Sequence, residues 1–225
     1  MNFQGSFNKI GTLDVSHFKH LLDQLSQEHW LEDTQRQRRY EVHRQTQSIG
    51  IVYDYDFRHA NPTIQPSFRL FEPALMPAVK MIAAHFDDTD EGVSLAQEYG
   101  PGYCIRANLV SLNPGGRIEP HQDKNFSLTH SHRIHIPLVT NPLVKFDVGG
   151  EIRYLMEGEV IEINNRRTHS VVNESNSSRI HLIIDWVIAG QQCCCAAKTH
   201  PNGPCNPEAC LQTDRLNIPC SCYEI

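Results

Sequence analysis

The sequence predicts a mainly β protein: a jelly roll preceded by packing helices. Three observations carry the prediction. From residue 103 onward, β-rich segments of three to ten residues follow one another with glycine, proline and asparagine between them and no helical periodicity. Before that point the apolar residues recur every three or four positions instead. The chain, 225 residues with 40% hydrophobic side chains, is long enough to bury one continuous core.

The helical part comes first. Over 13–30, Val15, Phe18, Leu21, Leu22 and Leu25 fall on one helical face, with Asp14 or Ser16 available as a cap. A polar run with Arg36, Arg38, Arg39 and Arg44 follows and reads as a solvated face or loop. The stretch 49–55 is apolar and aromatic enough for a strand. A second helix is expected over 73–86, where Leu75, Val79, Ile82 and Phe86 repeat at helical spacing and Pro73 or Pro77 suits the first turn. An acidic turn, 87–91, ends it.

The strands are expected at 103–112, 117–121, 133–139, 143–148, 151–155, 160–163, 170–172 and 179–187. Gly149 and Gly150 between two of them signal a two-residue hairpin, since both central positions of such a turn favour positive φ. The body is therefore 1–190, helical over 1–100 and jelly roll over 101–190. What remains, 191–225, is a tail set apart by composition: seven of the eight cysteines lie there, and Cys104 alone falls in the body, as a small buried strand residue.

Composition excludes several functions. A net charge of −6 with no basic stripe argues against a nucleic-acid partner. The longest apolar runs fall short of the twenty or so residues that span a bilayer, and the N-terminal residues lack the pattern of a secretory signal. A cytoplasmic location is expected. In that reducing setting the tail thiols are more plausible as free groups or as a zinc site than as disulfides, although no C-x-x-C pair is present.

The chemistry is expected in the body. His121 and Asp123 are two apart, so an extended segment sends both side chains to one face, and His169 follows in the turn after a strand. Two imidazoles and one carboxylate with open positions form the facial triad of non-haem Fe(II) oxygenases. Ten residues later Arg179 opens the strand RIHLIIDWV, in which Arg179, His181, Ile183 and Asp185 share a face. A buried guanidinium there needs a carboxylate partner, which a dicarboxylate cosubstrate would supply. Arg133 and His135 form a second pair on one face of RIHIPLV, with Arg133 directed either to a ligand carboxylate or to a body acid such as Glu119. Lys124, Asn125, Asn164, Asn165, Arg166 and Arg167 occupy loop positions that would rim the site and could meet a substrate carboxylate. His181 reads as a hydrogen-bonding group behind the ligands, His130 and His132 as non-ligands, and Trp186 as core.

The blocks NPGGRIEPHQD, RIHIPLVTNP, VGGE, GEVIEINNRRTHSVVN and RIHLIIDWV, in that order, resemble the aspartyl/asparaginyl β-hydroxylase family of Fe(II)- and 2-oxoglutarate-dependent dioxygenases, especially its compact bacterial members and the similar free-proline hydroxylases. The resemblance implies a double-stranded β-helix, a cupin-like jelly roll. It also implies Fe(II) at His121, Asp123 and His169, and 2-oxoglutarate at Arg179, assisted by Arg133 and His135. O₂ would be consumed, succinate and CO₂ released, and an aliphatic C–H hydroxylated in an amino acid or in an Asp, Asn or Pro residue of a peptide. Some members lack the acidic ligand; this chain keeps it as Asp123, which disfavours the halogenase variant. Where animal members carry a cosubstrate-contacting serine, Val110 stands here with Ser111 beside it. The tail matches nothing in the family. A cupin-like metal enzyme that is not an oxygenase, or a jelly-roll binding module, are the alternatives; neither accounts for the triad and Arg179 together.

Overall fold

The computed structural model describes residues 3–31, 41–54, 62–123, 128 and 131–188. The cysteine tail, most of the arginine run, Lys124, Asn125 and His130 lie outside these residues, and the expectations placed on them, zinc included, lie there too.

Two antiparallel sheets make up the body. The strands are β1 (Phe7–Thr12), β2 (Thr46–Tyr53), β3 (Thr63–Ile64), β4 (Tyr103–Leu112), β5 (Arg117–His121), β6 (His132–Val139), β7 (Val144–Val148), β8 (Glu151–Arg153), β9 (Glu159–Ile163), β10 (His169–Asn173) and β11 (Arg179–Val187). The large sheet has the order β1-β9-β6-β11-β4-β2-β3 and the small sheet β5-β10-β7-β8. The eight expected strands of the jelly roll are all present, with bounds shifted by no more than two residues. Gly149 and Gly150 turn the β7-β8 hairpin at φ of 62° and 87°, and the Asp147 carboxylate accepts the Gly150 N–H at 2.9 Å. That is the left-handed backbone their sequence predicts.

Side-chain alternation splits the core in two. Ile134, Ile136 and Leu138 of β6, with Leu182, Ile184 and Trp186 of β11, face outward from the large sheet into a cluster completed by the helices. Leu112, Ile118, Phe146, Val148, Ile161, Ile163 and Val171 fill the space between the sheets. On β6 and β11 the intervening positions therefore point inward, and these are Arg133, His135, Arg179, His181, Ile183 and Asp185. Two strands buried at all but one position each thus carry five polar side chains into the interior of the jelly roll.

The helical part departs from expectation in three places. A single helix over 13–30 is instead α1 (Ser16–Leu22) and α2 (Gln27–Leu31), preceded by β1, which pairs with β9 at the sheet edge. Here sheet pairing overrides an ambiguous local pattern. Helix α3 (Phe68–Asp87) starts five residues earlier than expected, so Pro73 and Pro77 sit inside it. Each removes one intrahelical N–H, and the burial of Phe68, Phe71, Leu75, Val79, Ile82 and Phe86 against the sheet offsets the loss. The acidic turn is the start of a further helix, α4 (Asp90–Tyr99): Thr89 caps it by accepting the Gly92 N–H, and Asp90 and Glu91 favour the positive end of its dipole. No helix among the described residues is long and apolar enough to cross a membrane.

Candidate metal centre

Strand pairing brings the triad together. His121 ends β5 and His169 begins β10, and the two are directly opposite one another in the β5-β10 ladder. Asp123 follows β5 in a segment tied down by its own N–H to the Asn165 carbonyl at 3.3 Å. One ligand atom from each of His121, Asp123 and His169 lies within 4.8 Å of the other two, and this is the only group of three or more potential ligands among the described residues. All three side chains predicted from sequence are therefore in one place.

The imidazoles are oriented for it. His121 donates its Nδ1–H to the Glu119 carbonyl at 2.7 Å, and His169 donates its own to the Arg167 carbonyl at 3.0 Å. A carbonyl only accepts, so in both rings the proton is on Nδ1 and Nε2 keeps its lone pair for a metal. Burial pushes the His169 pKa down, Asp123 pulls it up, and the net shift is downward. The neutral form, the one that ligates, is favoured. The His169 Nε2 stands 3.8 Å from the Asp123 Oδ2.

Asp123 is held by Arg133. The guanidinium donates from Nη1 to Asp123 Oδ2 at 2.7 Å, and from Nε and Nη2 to the two oxygens of Asp185 at 2.8 and 2.9 Å. Burial alone would depress the Arg133 pKa, but Asp123 and Asp185 outweigh it and raise the group above its ordinary value. Sequence placed Arg133 beside the cosubstrate or beside an acid such as Glu119. The acids it meets are Asp123 and Asp185, while Glu119 lies at the surface 3.9 Å from Arg117.

The second polar cluster lies deeper between the sheets. Arg179 is 1% exposed and donates from Nη2 to His181 Nδ1 at 2.6 Å, with its guanidinium carbon 6.0 Å from the Phe146 ring centre. His135 packs edge-on against the same ring at 5.1 Å and reaches His181 at 3.3 Å between Nδ1 atoms. Phe146 pairs with Val171 in the small sheet, whereas His169 pairs with Val148, so the cluster sits one step below the triad. Burial, then Arg179 and His135, lower the His181 pKa well below the ordinary histidine value. The ring is neutral, and with Nδ1 accepting from Arg179 its proton is on Nε2. That buried N–H has no hydrogen-bond partner among the described residues.

Other expectations separate. Asn164 and Asn165 are not rim groups: Asn164 donates to the Phe3 and Gly5 carbonyls, and fully buried Asn165 to the Leu128 carbonyl, so both brace the loop that carries His169. Arg166 and Arg167 are exposed beside His169. His132 faces Glu162 at 2.6 Å, away from the triad, and Trp186 and Cys104 are wholly buried. Ser111 lies two residues after Leu109 on the same strand and so shares its helix-facing side, and it does not point between the sheets. The roles of two residues went unread in the sequence. His43, in a turn before β2, packs edge-on against His121 with ring centres 5.7 Å apart, and nothing in its local pattern marks it. Asp185, already placed on the inward face of its strand, had a signal for a partner: it is the one acid in that buried strand, and a buried acid requires a cation.

Residues 94–188 match the family model described as aspartyl/asparaginyl β-hydroxylase. No curated protein matches the chain. Among solved structures, the chain is similar to an oxidoreductase of the 2OG-Fe(II) oxygenase family from Burkholderia pseudomallei, with 14% identity and a TM-score of 0.54 over 80% of this chain and 81% of that one. It is also similar to the viral collagen prolyl hydroxylase of Paramecium Bursaria Chlorella virus-1, solved with 2OG, with 8% identity and a TM-score of 0.51 over 81% of this chain and 96% of that one. At these identities the likeness is one of fold.

Proposed function

We propose that the protein, whose residues 94–188 match the aspartyl/asparaginyl β-hydroxylase family model, is a 2-oxoglutarate-dependent dioxygenase whose Fe(II) is held by His121, Asp123 and His169. The observation that carries this reading is the convergence of those three side chains, with both histidines fixed in the Nδ1–H tautomer. Two neutral nitrogens and one carboxylate fit Fe(II) and leave facial positions open.

2-Oxoglutarate fits the deeper cluster. Its distal carboxylate would meet the Arg179 guanidinium, and the buried Nε2–H of His181 is a donor in need of an acceptor. His135 completes the polar wall. Bound together, Fe(II) and 2-oxoglutarate supply the oxidising chemistry: one O₂ and one 2-oxoglutarate are consumed, succinate and CO₂ leave, and a substrate C–H becomes C–OH.

The chain's own residues do the rest. His121 and His169 present fixed lone pairs, and Asp123 contributes the negative charge. Arg133 holds the Asp123 carboxylate in place through its Nη1–H bond to Oδ2. Phe146, Val148 and Ile161 exclude water from the space between the sheets. The exposed Arg166 and Arg167 beside His169 suit a carboxylate on the substrate, consistent with an amino acid or an Asp, Asn or Pro residue in a peptide.

The test is succinate release by the full chain with Fe(II), ascorbate and 2-oxoglutarate, across free amino acids and Asp-, Asn- and Pro-containing peptides. Succinate coupled to hydroxylation of one class identifies the substrate. No succinate with any of them, together with no bound metal, overturns the proposal.

A further inference from the structure

The structure assigns Asp185 as a positioning residue of the metal centre, acting through Arg133 on the ligand Asp123. The inference rests on the metal-site reading above and extends it to a residue that touches neither metal nor cosubstrate.

Asp185 is fully buried near the end of β11, and the register places an arginine on each side of it: Arg133 on β6 and Arg106 on β4. Arg106 is paired in turn with Asp54, also fully buried. The result is a row of charges across four adjacent strands of the large sheet and beyond it, in the order Asp54, Arg106, Asp185, Arg133, Asp123. Acids and guanidiniums thus alternate along the row, and its terminal member is the acid of the triad.

The geometry makes Asp185 the anchor of this row at the metal end. Two of its oxygens take two parallel N–H bonds from Arg133, the fork arrangement that fixes both position and plane of a guanidinium. With Nε and Nη2 committed, the remaining nitrogen, Nη1, is aimed at Asp123 Oδ2 at 2.7 Å. That bond holds the Asp123 carboxylate beside His169, whose Nε2 stands 3.8 Å from the same oxygen. Without Asp185 the long Arg133 side chain recovers its rotamer freedom, and Asp123 loses its fixed orientation. An acid-for-amide change at a distance from the metal should then be felt as lost metal affinity, in the range of about 10- to 100-fold seen for groups that orient ligands.

The experiment is Co(II) titration of the full chain, followed by its visible absorption, for wild type, Asp185→Asn, Arg133→Lys, Arg133→Gln and the double variant Arg133→Gln/Asp185→Asn. Asp185→Asn should bind Co(II) about 10- to 100-fold more weakly, with an altered ligand-field spectrum. Arg133→Lys keeps the charge but has no fork to span two carboxylates, and should weaken binding similarly. The double variant should match Arg133→Gln alone, because Asp185 has nothing left to act through. Wild-type binding with unchanged affinity in Asp185→Asn, or additive losses in the double variant, overturns the inference. If Asp185→Asn does not fold, Arg133→Lys decides: affinity within about twofold of wild type is the overturning result. A wild-type chain that takes up no Co(II) sinks the metal-site reading itself, an outcome distinct from the others.

Discussion

His121 and His169 face each other across the β5-β10 ladder with ring centroids 4.3 Å apart, and each anchors its Nδ1–H on the carbonyl two residues before it. The same local bond at both positions leaves the two Nε2 atoms as the ligating pair. Substituting either histidine by alanine should lower metal affinity by at least about 100-fold and abolish succinate release. Metal content after dialysis, read beside a circular dichroism spectrum, checks it. A His169→Ala protein that keeps stoichiometric metal would remove the triad from the mechanism.

Arg179 offers a separable effect. It belongs to the deeper cluster with His181 and Phe146, so its loss should leave the metal ligands in place. Arg179→Lys retains a cation but loses the planar fork, and 2-oxoglutarate should bind about 10- to 100-fold more weakly, the worth of one or two charge-assisted hydrogen bonds. Co(II) affinity should be unchanged. Equal weakening of both ligands would place Arg179 in the metal centre instead.

The depressed pKa of His181 has a consequence for stability. The unfolded chain takes up a proton near the ordinary histidine pKa of about 6.5 while the folded protein does not, so the unfolded state gains as pH falls. Stability from this group is complete above that pH and declines as the pH falls below it. His169, shifted in the same direction, adds to the decline. Urea unfolding on either side of that pH should show the loss, and His181→Asn should remove the His181 share of the slope. A wild-type midpoint that rises on acidification contradicts the assignment of a neutral buried imidazole.

What the sequence made legible follows from periodicity. The alternation along β6 and β11 is strict, so the inward set Arg133, His135, Arg179, His181 and Asp185 could be read residue by residue. His121, Asp123 and His169 carried the ligand chemistry in their spacing. Partnership was the illegible part. That Arg133 meets Asp185 depends on β6 and β11 being neighbours in register, a non-local fact that no window of sequence contains. β1 was missed for the same reason, since its pairing partner β9 lies about 150 residues away. Asn164 and Asn165 looked like rim groups because polar loop residues usually face water; here they satisfy carbonyls of the N-terminal segment and of Leu128.

The pair of Asp54 and Arg106 gives a last prediction, because a buried ion pair and its halves behave differently. Arg106 is 5% exposed, Asp54 is fully buried, and the guanidinium also lies 4.8 Å from the Tyr53 ring centre. Asp54→Ala removes the acid that offsets the desolvation of Arg106, and leaves that cation to Asp185, which already serves Arg133. The expected cost is about 3–5 kcal/mol, the usual range for breaking such a pair. Replacing both partners by apolar residues of similar volume, as in Asp54→Leu/Arg106→Met, removes the buried charges together and should recover most of that loss. Because Asp185 keeps its fork to Arg133, the double variant should retain Co(II) affinity. Denaturant midpoints for the single and double variants, with metal binding measured on each, test both halves; a double variant less stable than Asp54→Ala would mean that the pair contributes net stability in this sheet.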